Sequence, residues 1–508
     1  MTVLPPLTTR DRVIDAVLVV SCGIGQAAAL AVAAFATRDG FAALHSGNGL
    51  AVSTVMELSV SGVIAALCFL VSRYRAEALG QSYAISLRRA LYQQIARLPK
   101  SRHEQRRVGA LSLRFVGDLS AARLWFGRGL PDVLSASVVL PGAIAILFAL
   151  NPVLAGVGLV PLGVALLVMG ATAWHLGRRH SQLRRRRASI AISMIERIAI
   201  APELDLLGRT DKELRRLDAQ GASLRNDALA RRGKTSSLQA ILQTGVALSG
   251  LLMLWLAGRS GIAPASVAAS LSVLGLIALP LQELCSAWDH YCAWRVARRK
   301  AERLLSEPIV KRRRPRKHKS VIVEVRGTLG REPVAFTAKQ GAVTRMRGEH
   351  ARVLARCISG LDKYEGLDVL YDGQRKTPRI AYIGDDHIGL QGSLRRSATL
   401  MCRNRPNDRK VAEVLRRFGL GDLLAAPRGL DQRLSENGNG LSAEHSMRLD
   451  LARAVLGEAD VVVIASLRWW SGGKRSDLLE TLRRQSAATV ILVETENAHS
   501  LKKNSKVI

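Results

Sequence analysis

The chain has 508 residues, 48% of them hydrophobic, and 74 Lys and Arg against 41 Asp and Glu give a formal net charge of +33. That length holds two or more domains, and so large an apolar share raises a membrane before any soluble binding role. The six cysteines, Cys22, Cys68, Cys285, Cys292, Cys357 and Cys402, form no C-x-x-C pair and no metal-ligand spacing, so they imply neither a disulfide framework nor a metal site and read as packed thiols.

Apolar stretches nearly free of charge cover residues 13–36, 51–72, 133–150, 153–176, 238–257 and 262–282. Each is near the roughly 20 residues needed to cross a bilayer, so the pattern predicts six spans. The first is too long for a signal-peptide core and carries Asp11 and Asp15 at its start, which makes it a retained helix despite the cleavage-like Ala34-Phe-Ala36. Cations crowd the loops between spans two and three and between four and five, with Arg88, Arg89, Arg106, Arg107 and Arg184 through Arg187, while the other loops carry Arg38 and Arg259. The positive-inside rule then places both termini and the two long loops in the cytoplasm of a multi-pass protein of the inner (plasma) membrane. The same distribution assigns the positive charge to topology and the bilayer surface and excludes nucleic acid as the partner. Glu57, inside the second span among Ser53, Thr54, Ser59 and Ser61, is a candidate substrate-facing residue, because an ionisable group in a span is costly.

The two long loops, 73–129 and 178–235, show helical spacing and no Pro/Gly-rich interruption, so they continue as helices beyond the membrane. Within the first stand Leu87-Arg-Arg-Ala-Leu-Tyr-Gln-Gln-Ile-Ala-Arg-Leu-Pro99 and Val108-Gly-Ala-Leu-Ser-Leu-Arg-Phe-Val-Gly-Asp118, and before the last span stands Gly258-Arg-Ser-Gly-Ile-Ala-Pro264. In order and wording these segments resemble the transmembrane domain of ATP-binding-cassette (ABC) exporters. That resemblance implies spans that extend far into the cytosol and end in coupling helices.

A basic run, Lys311-Arg-Arg-Arg-Pro-Arg-Lys-His-Lys319, marks a linker. Beyond it, strand-like stretches at 321–325, 379–383, 461–464 and 489–493 alternate with helical ones, an α/β pattern. The segment Leu434-Ser-Glu-Asn-Gly-Asn-Gly-Leu-Ser-Ala-Glu-His-Ser-Met-Arg-Leu-Asp-Leu-Ala-Arg-Ala-Val-Leu456 resembles the signature stretch of an ABC ATPase, with Leu441 and Ser442 in the first two signature places. Ala443, Glu444 and His445 replace the two glycines and the glutamine.

The other motif positions depart further. A working phosphate loop reads G-x-x-x-x-G-K-[ST], its glycines letting backbone N–H groups wrap phosphate. Here Gly348-Glu-His-Ala-Arg352 is about three residues short, with Ala351 at the lysine position and Arg352 at the metal-binding hydroxyl position. Gly384-Asp385 stands where the family has Pro-Gln, Ala465-Ser466 where it has the two catalytic carboxylates, and Thr495 where it has the switch histidine. Glu444 is expected to set a carboxylate near the phosphate that a partner chain would hold.

The resemblance therefore implies an all-α six-helix transmembrane domain over 1–306, a linker over 307–320 and an α/β domain over 321–508, P-loop NTPase-like but degenerate. It implies a half-transporter subunit that pairs with a second half, identical or different, and does not hydrolyse ATP by itself. No catalytic residue and no cofactor are expected, since ATP and Mg²⁺ enter by family likeness alone. The alternative is a membrane scaffold or regulator that keeps the fold without transporting.

Overall fold

The computed structural model describes residues 4–104, 117–198, 200–310, 321–385, 389–434, 441–467, 469 and 475–494. The chain divides into two compact units, one of Met1–Ala96 with Arg106–Glu307 and one of Arg97–Gln105 with Pro308–Ile508. The basic run 311–319 lies outside the described residues.

The first unit is helical. Its long helices are α1 (Arg10–His45), α2 (Val52–Ala96), α4 (Leu119–Leu150), α5 (Pro152–Ile198), α7 (Thr210–Ser260) and α8 (Pro264–Leu305), with the short α6 (Ala201–Leu206) before α7; the short α3 (Lys100–Glu104) follows α2 in the chain. All six long helices hold a window apolar enough to cross a membrane, with mean hydropathy from 1.8 to 2.4. Four of the six expected spans fall inside them, and the second and sixth begin one and two residues ahead of α2 and α8. At 1.5 Å per residue, α2, α5, α7 and α8 run about 63–77 Å, twice the hydrocarbon thickness, so they continue well past the bilayer.

Local chemistry sets the hairpins. Between α4 and α5 the Asn151 side chain accepts the N–H groups of Val153 and Leu154, both at 3.0 Å, and Pro152 opens the next helix. Between α7 and α8 Gly261 takes the left-handed conformation at φ 62 before Pro264 starts α8. Buried Leu147, Leu154, Leu242, Met253 and Leu274 form the core that joins α4, α5, α7 and α8. Near the start of α4 a π turn at Trp125–Gly129 brings Gly127 against Gly80 of α2, where an added Cβ on Gly80 would meet backbone at 2.6 Å. Two glycines are what let these backbones approach.

In the second unit β3 (Val343–Met346), β5 (Ile380–Ile383), β8 (Val461–Ile464) and β9 (Thr489–Val493) form a parallel sheet of order β3-β9-β8-β5. An antiparallel sheet of order β2-β1-β4 is built from β1 (Val323–Leu329), β2 (Glu332–Ala338) and β4 (Leu367–Tyr371), and β6 (Gly392–Ser393) pairs with β7 (Arg433–Leu434). Every residue of β8 and β9 is buried, as a parallel strand covered on both faces requires. One face packs with α9 (Ala351–Ile358) and the antiparallel sheet; the other packs with α10 (Leu394–Ala398), α11 (Asp408–Arg417), α13 (Ala443–Leu456) and α14 (Arg475–Gln485), between which α12 (Gly421–Ala425) completes a helical layer. The strands expected at 379–383, 461–464 and 489–493 are present within a residue or so, and the first begins two residues late.

Helix α3 counts with this unit. The N–H and hydroxyl of Ser101 donate to Asp362 Oδ1 at 3.1 and 3.2 Å, Arg356 Nη2 donates to both oxygens of Glu104 at 2.9 and 2.8 Å, and the Lys100 ammonium lies 5.1 Å from the Tyr382 ring centroid. A carboxylate at the first turn of α3 matches its dipole.

The buried cation Arg453, 3% exposed, ties α13 to α10: its Nε donates to the Ser397 carbonyl at 2.6 Å, Nη2 to the Ser397 hydroxyl, and Nη1 to Asp450 Oδ1 at 2.8 Å. Burial pulls this guanidinium below its ordinary range, and the Asp450 charge opposes that pull. Replacing Asp450 by Ala strands a buried charge, for which the expected loss is about 3–5 kcal/mol. Denaturant unfolding of the detergent-solubilised chain, followed through the second unit, measures it.

Alkali should loosen the same unit. Burial, with Asp362 adding to it, pushes the Cys357 thiol of α9 from its ordinary 9.0 to about 12, and burial pushes Tyr371 and Tyr382 the same way. A thiol held neutral in the fold but ionised in the unfolded chain stabilises the fold fully below pH 9. That contribution is lost as pH rises toward about 12. Cys357→Ala should therefore flatten the decline of stability between pH 9 and about 12, by at most about 1.4 kcal/mol per pH unit; an unchanged slope in denaturant titrations counts against it.

Candidate functional site

In a parallel α/β sheet, groups meet at the carboxyl ends of the strands, and there this chain assembles its candidate residues. After Met346 of β3 the turn is only Arg347, Gly348, Glu349 and His350 before α9 begins at Ala351. Gly348 holds φ 108, and its carbonyl accepts the Ala351 N–H at 3.2 Å, so that amide is turned inward. Ala351 itself is 1% exposed and packs in the core. His350 Nε2 lies 2.9 Å from Glu332 Oε2.

One carboxylate joins three of these ends. Asp385, two residues past β5, accepts from Arg352 Nη2 at 2.7 Å through Oδ2, and from the Leu467 N–H at 2.6 Å and the Ser466 hydroxyl at 3.3 Å through Oδ1. The positions Arg352, Asp385 and Ser466, which the sequence places in three separate motifs, are thus in direct contact. Ala465 beside them is buried, its N–H extending the ladder to Ile383 at 2.8 Å. At the end of β9 Glu494, 7% exposed, accepts from Arg347 Nε at 2.6 Å, and Arg345 Nη1 lies 3.6 Å away. Thr495 lies outside the described residues.

Leu441 and Ser442 stand at the head of α13. The Ser442 hydroxyl caps the helix by accepting the His445 N–H at 3.0 Å, and Leu441 packs against the core. Glu444 pairs along the helix with Arg448, which also donates to the carbonyls of Phe418 and Gly419 at 3.2 Å each. A carboxylate in the first turn is well placed by the helix dipole, and an i,i+4 cation completes it.

Glu57 belongs to the first unit. It is exposed on α2, at a groove with α1 lined by Val32, Met56, Val60 and Ile64, and makes no hydrogen bond or ion pair among the described residues. The structure also forms an ionic cluster that sequence reasoning passed over: Arg73 of α2 pairs with Asp132 of α4 at 2.6 Å and with Glu283 of α8. The usable signal was that all three residues adjoin same-side ends of spans two, three and six. Among the described residues no group of His, Cys, Asp and Glu is arranged to hold a metal ion.

The family described as ABC transporter transmembrane region matches residues 21–281. No curated protein matches the chain in sequence. Among solved structures, a bacterial Atm1-family ABC exporter with ATP bound is similar, at 18% identity and a TM-score of 0.77, covering 97% of this chain and 92% of its own. At that identity the likeness shows a shared fold, six membrane-length helices followed by a smaller α/β unit. With the family match running over 21–281 of 508 residues, the chain belongs to the ABC transporter transmembrane family, as a multi-pass transport subunit of the exporter fold.

Proposed function

We propose that this chain is a non-hydrolysing subunit of a dimeric export complex in the inner (plasma) membrane, with its termini in the cytoplasm, working beside a second ABC half that supplies ATP hydrolysis. The observation that carries this reading is the Asp385 bridge. Its two oxygens are engaged by Arg352, Ser466 and the Leu467 amide, which joins the ends of β5 and β8 to α9.

ATP with Mg²⁺ needs a backbone nest, a lysine on the phosphates and a carboxylate on the metal. The residues here do not fit that demand. Among the described residues at these strand ends, Arg345, Arg347 and Arg352 bring three positive charges that Glu349, Asp385 and Glu494 match with three negative ones. The Ala351 amide is taken by Gly348, and Ala465-Ser466 offers no carboxylate. Dimerisation is supported by the fold: one chain carries one set of six spans and one cassette, and ABC exporters close a path only between two such sets.

Two measurements test the reading. The purified chain should show no saturable binding of labelled ATP at micromolar concentration, and Ala351→Lys should not restore it, because the cradle is missing as well as the charge. Affinity purification from native membranes should recover an ABC half with an intact phosphate-loop lysine. Micromolar ATP binding would overturn the non-hydrolysing assignment, and recovery of only this chain, or of an unrelated membrane enzyme, would favour the scaffold.

Orientation is tested separately. In a background without the native cysteines, Cys introduced at Ser46, in the turn after α1, should react with an impermeant thiol reagent in whole cells. Cys at the exposed Lys212 of α7 should not. The opposite pattern reverses the topology.

A further inference from the structure

We infer that the cleft between the β6–β7 pair and α10 in the second unit binds a phosphate monoester, through residues that the strand ends do not use. The inference is independent of the export reading and stands on a surplus of donors and of positive charge in one place. The cleft has a volume of about 610 Å³, within the range of small-molecule sites. Gln391, Ser393, Arg396, Asp431 and Arg433 line it, and Leu434 is its one large apolar wall.

Local structure aims these groups. Ser393 of β6 stands opposite Arg433 of β7 in the antiparallel pair, so their side chains share a face. The Ser393 hydroxyl accepts the Arg396 N–H at 3.2 Å, and its own hydrogen can still be donated. Gly392 has no side chain, and the Arg396 stem lies over it: an added Cβ would meet Arg396 Cδ at 3.2 Å and Nη1 at 4.0 Å.

The carboxylate that lines the cleft is already engaged. Both oxygens of Asp431 accept from the Arg395 guanidinium, at 2.8 and 3.5 Å, and Arg395 also pairs with Asp408 at 2.9 Å. The guanidiniums of Arg396 and Arg433 make no hydrogen bond or ion pair among the described residues. With Arg395 and Asp408 counted in, three cations face two carboxylates, and over residues 391–434 ten cations face four carboxylates. The excess is positive on either scale. Two forked guanidiniums, a hydroxyl and the Gln391 amide suit the oxygens of a phosphate dianion, and the remaining volume takes the body that carries it. Arg396 adjoins Ser397, which Arg453 of α13 grips, so a ligand here would act on the helical layer.

Inorganic pyrophosphate tests the site, followed by its phosphorus NMR line width on the full chain in phosphatidylcholine nanodiscs. Broadening should saturate, with half-saturation at roughly millimolar concentration because the guanidiniums are exposed, well above the micromolar range in which ATP is tested. Arg396→Gln and Arg433→Gln should each weaken binding about fivefold. Arg416→Gln, which removes the same charge from the exposed surface of α11, and Arg352→Gln, at the strand ends, should leave it unchanged. Phosphatidic acid added to the discs, with phosphatidylglycerol as the control for surface charge, separates two carriers of the phosphate. Competition by phosphatidic acid alone assigns the cleft to a lipid headgroup, and no competition assigns it to a soluble ester; either keeps the site. Broadening that never saturates would overturn it. So would a loss that follows Arg352→Gln, which points to the strand ends, or an equal loss with Arg416→Gln and Arg433→Gln, which points to general positive charge. The assay needs neither ATP hydrolysis nor a second subunit, so its failure leaves the export reading standing.

Discussion

A bilayer offers no hydrogen-bond partner to a peptide group, so every span must satisfy its own backbone within a helix. In the first unit that single demand accounts for six long helices, for short hairpins such as Asn151-Pro152 and the stretch from Gly261 to Pro264, and for polar side chains that find partners across helices. Arg12 of α1 shows the last point: its guanidinium reaches Ser82 and Ser86 of α2 and the Pro6 carbonyl. Helices cannot unwind to serve such groups, so packing must bring the partners together, and small residues such as Gly80 and Gly127 make the close approach possible.

Charge pairing plays the corresponding part in the second unit, with energies that differ by setting. The Arg453–Asp450 pair is buried and also bonded to Ser397, so its integrity matters to the fold. The Arg352–Asp385 pair is 40% exposed on both sides and contributes little stability by itself. What it does is arrange groups: it fixes the first turn of α9 against the ends of β5 and β8. A nucleotide would need those same positions empty of internal partners. The proposed loss of hydrolysis is therefore a matter of occupied valences as well as of missing lysine and carboxylate side chains.

Much of this was legible in the sequence. Six apolar stretches against roughly 20 residues per crossing set the span count, and clusters of Val and Ile with no internal charge marked β8 and β9, since strands covered on both faces must be apolar throughout. The strands β2 and β4 were not singled out, because they are half-exposed and carry mixed side chains. Candidate positions could be named one motif at a time, with Ser442 as helix cap and Ala351 as buried alanine consistent with ordinary local roles.

Contacts between distant residues were left to the tertiary structure. Asp385 meets Ser466 and Leu467 only because β5 and β8 are parallel neighbours in register, Ile383 beside Ile464. Arg73 meets Glu283, 210 positions away, only because α2 and α8 flank the same chamber. The sequence by itself determined which six segments are apolar enough to cross the membrane and where the fully buried strands β8 and β9 lie, since apolar length is a local property. Which charges meet depends on pairwise distances of a few ångströms across the fold, where Coulomb energies are set, and only packing decides those.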